Sequence, residues 1–144
     1  MRGIKFLVML CVCGLFLVGA SCKTELEQEV VASYPDGSPM KLNGIEYKGD
    51  AKVVTRETRL YPNAQVEMEG GIANGQRDGV WTYFKEDGKK WMEESYKDGV
   101  MQGPVTVWYL NGELKYEGEY TAGRPSGKWK FYDEKGTLTK EQSY

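Results

Sequence analysis

The chain has no histidine. That removes the side chain most often used as a general base near neutral pH and most often found on a bound metal. Serine and cysteine nucleophiles are then left without a partner for a triad. The three cysteines, Cys11, Cys13 and Cys22, all fall in the first 22 positions. Cys11 and Cys13 sit inside an apolar run and would be removed with it, so their spacing carries no metal reading. Residues beyond Cys22 hold no thiol for a disulfide, and a domain of this size can fold without staples if its sheet is large enough. No window shows an i, i+3, i+4, i+7 apolar stripe, so nothing argues for an amphipathic helix. Neither sign of charge dominates, with 19 Lys and Arg against 21 Asp and Glu. Both signs are interspersed, and the footprint of a nucleic-acid binder is absent. The glycine-rich stretch "EGGIANGQRDG" lacks the Gly-Lys-Ser/Thr ending of a phosphate loop. No cofactor or metal site is expected.

What is present begins with an export signal. Arg2 and Lys5 precede an apolar run over residues 6–18, followed by Gly19-Ala20-Ser21-Cys22. Basic start, apolar middle and small residues form the pattern of a secretory signal peptide over 1–21. The run is short for a membrane span, which needs about 20 residues. Three outcomes are open: lipidation of Cys22 as the new N-terminus, ordinary cleavage after Ala20, or retention as an uncleaved anchor. Residues 22–33, with "KTELEQEVVAS", read as a polar tether from a lipid anchor.

The rest repeats. "GVWTYFKEDG" at 79–88 aligns with "GPVTVWYLNG" at 103–112 and "GKWKFYDEKG" at 127–136, a step of 24 residues both times. Gly75, Gly99 and Gly123 open three units; Gly79, Gly103 and Gly127 follow; Tyr96, Tyr120 and Tyr144 close them. The units run 75–98, 99–122 and 123–144, after a degenerate unit at 51–74 and a remnant at 34–50. Fixed periods of this size mean stacked supersecondary units.

Between the glycines lie runs rich in aromatic and β-branched residues. Asp87-Gly88 and Asn111-Gly112 stand between two such runs, a strong hairpin signal. Each unit therefore reads as strand, two-residue turn, strand, then a Gly-x-x-x-Gly link to the next. The expected fold is all-β: a single elongated antiparallel meander of hairpins over 34–144, curled into a trough, behind an N-terminal signal helix. A lone hairpin is marginal in water, which is why such units are added edge to edge. Lys140 and Glu141 would blunt the last edge.

Alternation sorts the faces. Trp81, Tyr83, Val105, Val107, Trp129 and Phe131 point to an apolar side. Val66, Met68 and Ile72 share it, as do Leu114, Tyr116 and Tyr120. The carboxylate pairs Glu67 with Glu69, Glu93 with Glu94, and Glu117 with Glu119 fall on the polar side as a solvated face. An aromatic column, Phe84, Trp108 and Tyr132, breaks the polar side, and Trp91 breaks the alternation. These four are the candidate partner-contact residues. Packing against Lys and Arg stems is the plainer reading, and a contact surface for a protein or glycan the sharper one.

The markers in "YPNAQVEMEGGIANGQRDGVWTYF", "YKDGVMQGPVTVWY" and "YLNGELKYEGEYTAGRPSGKWKFY" resemble the MORN repeat, in the variant found in bacterial YwqK-type antitoxin proteins. The resemblance covers residues 34–144. It departs at Val105, where other units have Trp, and at Ala64, where they have a turn Gly. Ser21-Cys22 resembles the lipidation site of bacterial lipoproteins, with Gly19 where that family usually has Leu. The resemblances imply stacked hairpins without catalysis and a bacterial envelope location, at the outer membrane and surface-exposed. They imply membrane attachment through Cys22 and a protein partner, such as a toxin. Self-association into a homo-oligomer and direct glycan or lipid contact remain as alternatives.

Overall fold

A computed structural model describes residues 27–144. The signal segment with its expected helix, and the candidate lipidation site Cys22, lie outside the described residues. Ten strands follow one another: β1 (Glu27–Ser33), β2 (Pro39–Lys48), β3 (Ala51–Leu60), β4 (Val66–Ala73), β5 (Gln76–Phe84), β6 (Lys90–Lys97), β7 (Val100–Trp108), β8 (Leu114–Thr121), β9 (Arg124–Tyr132) and β10 (Leu138–Ser143). They form one sheet in strict sequence order, each antiparallel to the next. The all-β open meander is therefore as expected, with no helix among the described residues.

The two kinds of connection are exchanged relative to the sequence reading. In the three repeat units the tight two-residue turns are Asn74-Gly75, Asp98-Gly99 and Ala122-Gly123, where both residues have positive φ, from 48° to 78°. Two left-handed residues in sequence make the type I′ turn whose twist suits a hairpin. What looked like a Gly-x-x-x-Gly link is thus itself a hairpin turn. Its second glycine, Gly79, Gly103 or Gly127, kinks the strand that follows at φ 80°, 102° and 67°.

Asp87-Gly88 and Asn111-Gly112 instead lie in five-residue loops. Lys85 N–H donates to the Lys89 carbonyl at one end and Gly88 N–H to Lys85 at the other, 2.9 and 2.8 Å. Only the glycine has positive φ there. Within these loops Asp87 accepts the Lys89 N–H at 3.0 Å, and Asn111 accepts the Glu113 N–H at 3.0 Å, each an Asx turn. The same loop recurs at 34–38, 61–65 and 133–137. One 24-residue step is therefore two strands and one connection of each kind.

The expected tether is shorter than read. Glu27–Ser33 pairs with β2 from Glu27↔Ile45 to Ser33↔Pro39. The adjacent valines of this segment favour an extended chain, and an edge strand needs only one neighbour.

Register lines up rows of side chains across the sheet. One face carries Thr58, Glu69, Thr82, Glu93, Thr106, Glu117, Lys130 and Glu141 as successive partners. The other face carries Met68, Tyr83, Met92, Val107, Tyr116 and Phe131, and beside them Gly70, Trp81, Glu94, Val105 and Gly118. Val105, Val107 and Trp129 form a buried cluster with Trp91, Met92, Tyr116, Tyr120 and Phe131 against it.

A single layer buries a tryptophan by laying it flat on glycine. Trp81 is 0 % exposed. A Cβ on its partner Gly70 would stand 2.4 Å from its ring atoms, and one on Gly118 would stand 2.3 Å from Trp129. Each indole N–H donates to the carbonyl after its glycine, Gly71 at 3.1 Å and Glu119 at 3.2 Å.

Candidate functional site

The aromatic column is built where each five-residue loop begins. Phe84, Trp108 and Tyr132 lie two residues beyond Thr82, Thr106 and Lys130, so they share the polar face. Across the hairpin their register partners are Lys90, Leu114 and Leu138, and Leu60 pairs with Val66 in the same way. A bulge separates each of these pairs from the rest of its ladder. The bulge carries Val66 and Leu114 to the polar face, not the apolar face that strict alternation gives them. It also accounts for Trp91, the extra residue of its own bulge. Trp91 packs edge-on against Tyr83, with ring centroids 5.9 Å apart, and joins the buried cluster.

The column side chains are half-buried, and lysines and carboxylates do cover them. The Lys90 ammonium stands 4.6 Å from the Trp108 ring centroid, and the Tyr132 hydroxyl donates to Glu117 Oε1 at 3.0 Å. Burial, with that bond to Glu117 behind it, raises the Tyr132 pKa.

A second ladder ties the loops together. Tyr61 donates its hydroxyl to the Phe84 carbonyl at 3.0 Å, and Asn63 donates to the Glu86 carbonyl at 3.0 Å. Tyr109 and Asn111 repeat this on Tyr132 and Glu134 at 2.8 and 2.7 Å, and Tyr34 reaches the Leu60 carbonyl at 2.7 Å. In the loop at 85–89 those places hold Lys85 and Asp87. Lys85 turns its ammonium over the Trp91 ring, 4.4 Å from the centroid, and Asp87, an acceptor, takes the Lys89 N–H. The rung between this loop and the next is replaced by an open depression of about 340 Å³. Its walls include Lys85, Trp91, Tyr109 and Leu110, and Trp108 with Lys115 continues it. Leu110 is 75 % exposed. Trp91 and Trp108 are thus brought to one notch, while Phe84 and Tyr132 lie outside it. Lys85 and Leu110 were not singled out from sequence; the loss of Tyr at position 85, between loops that open on Tyr61 and Tyr109, was the available signal.

One carboxylate is not where the sequence put it. Glu93 belongs to the polar row, but Glu94 is on the apolar face and 5 % exposed. It occupies the place that Gly70 and Gly118 take in the flanking units, opposite Val105, where those units have tryptophan. The smaller valine leaves room for the carboxylate. Tyr83 and Tyr96 donate to Glu94 Oε1 at 2.5 and 2.6 Å, and Arg77 Nη1 stands 3.9 Å from it. Arg77 also donates to Tyr83 at 2.8 Å and Tyr96 at 3.3 Å, with its guanidinium 3.9 Å from the Trp81 ring centroid. Burial first, then the bond to Glu94, pushes both tyrosine pKa values up, Tyr83 strongly. A buried carboxylate persists only when paired and hydrogen-bonded, and this one has both. Among the described residues, no three acidic or thiol side chains gather as metal ligands.

Residues 77–98, 101–122 and 125–144 match the model of the MORN repeat variant family. No curated protein and no solved structure matches the chain.

Proposed function

We propose that this chain is a non-catalytic binding module of the bacterial envelope, anchored by an acyl group on Cys22, whose repeat sheet engages a protein partner. MORN repeats commonly bind proteins or membranes, which supports the first half of the reading. The observation that carries the second is the exposed apolar and aromatic surface at the loop edge, where Leu110 projects beside Trp91, Trp108 and Tyr109. A ten-stranded sheet holds this surface in fixed geometry. Aromatic side chains on a rigid frame are what anchor protein interfaces. An immunity-type role against a toxin is the narrower form of the same proposal.

The test takes the tagged full chain expressed in bacteria, with Trp108→Ala beside it. Envelope fractions are passed over both, and any protein retained is purified and titrated against each. The expected result is direct binding that Trp108→Ala weakens about tenfold or more. A retained protein that binds both alike would count against the surface. Mass analysis of the processed N-terminus tests the anchor: a free, unacylated start removes it. For the narrower role, co-expression should relieve growth arrest caused by the captured partner.

Self-association is a second reading, favoured by the open edge of β1, where Val30 and Val31 are exposed. Sedimentation at rising concentration separates the two, since a constant monomer mass excludes it.

A further inference from the structure

We propose that the notch between the loops at 85–89 and 109–113 is the partner's docking point, and that it takes an extended acidic peptide segment carrying an aliphatic side chain. This rests on the protein-binding reading above and adds the site and the chemistry of what fits it.

Three observations converge. The first is the missing rung. In the flanking loops, tyrosine and asparagine side chains cap the carbonyls of residues 84, 86, 132 and 134. The corresponding carbonyls are those of Trp108 and Leu110, opposite Lys85 and Asp87. Among the described residues neither receives a side-chain donor, so both remain available to a peptide N–H. The second is the lining. Trp91, Tyr109 and Leu110 give the depression apolar walls. Strands are about 4.8 Å apart, so two loops two strands apart leave a gap of roughly 10 Å, the width of one extended chain with its side chains.

The third is charge. Lys85, Lys89, Lys90 and Lys115 line the depression. Lys89 pairs with Asp87 at 3.5 Å and Lys90 with Glu93 at 2.9 Å. Lys85 and Lys115 have aromatic rings beneath them and no carboxylate partner among the described residues, at 4.4 Å from the Trp91 centroid and 5.5 Å from the Tyr109 centroid. An apolar slot with two uncompensated ammonium groups on its walls selects a segment that is acidic and apolar together. Such complementarity sets orientation and association rate more than raw affinity.

The experiment uses the full chain with labelled indole nitrogens and a short synthetic peptide. The peptide has leucine at its centre and two carboxylate residues on each side. Controls replace the carboxylates by amides or the leucine by serine. The expected outcome is a shift of the Trp91 and Trp108 indole signals, with Trp81 and Trp129 unmoved. The amide and serine controls should bind about tenfold more weakly, and salt should weaken the parent peptide.

Lys85→Glu should abolish binding. Lys85→Tyr with Asp87→Asn rebuilds the rung seen in the neighbouring loops and should close the notch while leaving the unfolding midpoint in place. Equal binding of the peptide to that double variant overturns the inference. So does an indole shift produced by phosphatidylglycerol vesicles or a uronic-acid polysaccharide but not by the acidic peptide. A displayed random-peptide library separates the two readings. Binders indifferent to the double variant defeat the notch but keep protein binding, whereas a library without binders, together with a failed capture, defeats both.

Discussion

Trp81 and Trp129 stand 48 residues apart and are held in the same way. Each lies on a glycine, donates its N–H to the next carbonyl, and meets the tyrosine that closes its unit edge-on, Tyr96 at 6.4 Å and Tyr144 at 5.8 Å. Halfway between them the same position holds Val105, and its glycine has become Glu94. Two further departures meet there. Arg77 stands where the other units have Met101 and Pro125, and Tyr83 brings a hydroxyl where they have Val107 and Phe131. Around Trp129 the ring is enclosed by Tyr116, Tyr120 and Phe131. Around Glu94 it is replaced by a network of charge and hydroxyl. The repeat thus conserves a volume to be filled, and two chemistries fill it.

The comparison can be broken most severely at Arg77. Arg77→Met removes the cation from a buried carboxylate and should cost about 3 kcal/mol or more. Adding Glu94→Gln should restore most of that. Urea unfolding of the single and double variants is the measurement, and equal midpoints would show that the charge pair is not what the site depends on.

Next come the exchanges of filling. Val105→Trp alone meets the Glu94 side chain, and Gly118→Ala alone drives a Cβ into Trp129; each should destabilise by about 1–3 kcal/mol. Combining Val105→Trp with Glu94→Gly copies the flanking units. The pair should be less destabilised than the sum of its singles by about 1 kcal/mol or more. Additive effects would mean that the two positions do not share a volume.

A smaller effect is expected at the loop that departs from the others. Ala64 holds φ 63°, where the equivalent loops have glycine. Ala64→Gly should raise stability by about 1 kcal/mol, because the left-handed region costs a Cβ that much. An unchanged midpoint would argue against strain there.

The smallest effect is a pH dependence centred on the Glu94 region, where burial and the bond to Glu94 raise two tyrosines; beside Trp129 burial raises Tyr116 in the same direction. Tyr83 and Tyr96 have folded pKa values above the ordinary 10, so their contribution is fully present below about pH 10 and declines as pH rises through it, because the unfolded chain then ionises more readily. Stability should be level from pH 8 to about 10 and fall above that. Tyr83→Phe should make the fall shallower, and an unaltered slope would place its origin elsewhere.

Much of this was legible in the sequence. The 24-residue step, the strand character of the aromatic runs, and the apolar side of Trp81, Tyr83, Val105, Val107, Trp129 and Phe131 follow from period and alternation. The turns were legible as places but not as types. Asp98-Gly99 makes a two-residue turn while Asp87-Gly88 lies in a five-residue loop, and the dipeptide is the same in both. Val66 and Leu114 were misplaced, and Trp91 stood only as a break in the alternation, because a bulge shifts the count by one and period-2 reasoning has no way to see an inserted residue. Glu94 was misplaced because it is adjacent to Glu93 in a chain full of solvated carboxylates. Of the candidate contact residues, Trp91 and Trp108 were brought together by the break in the tyrosine ladder, which only the alignment of loops 23 or more residues apart reveals.

The sequence by itself determined that the chain is a row of strands with one apolar side, because periodicity is local and each unit states it again. Only the tertiary structure decided that a glycine lies beneath Trp81 and another beneath Trp129, that a glutamate is buried where the repeat lacks its tryptophan, and that two loops leave a notch between them. Those outcomes depend on which residues face each other across neighbouring strands. Hydrogen-bond register sets that pairing, and a shift of one residue at a bulge changes it.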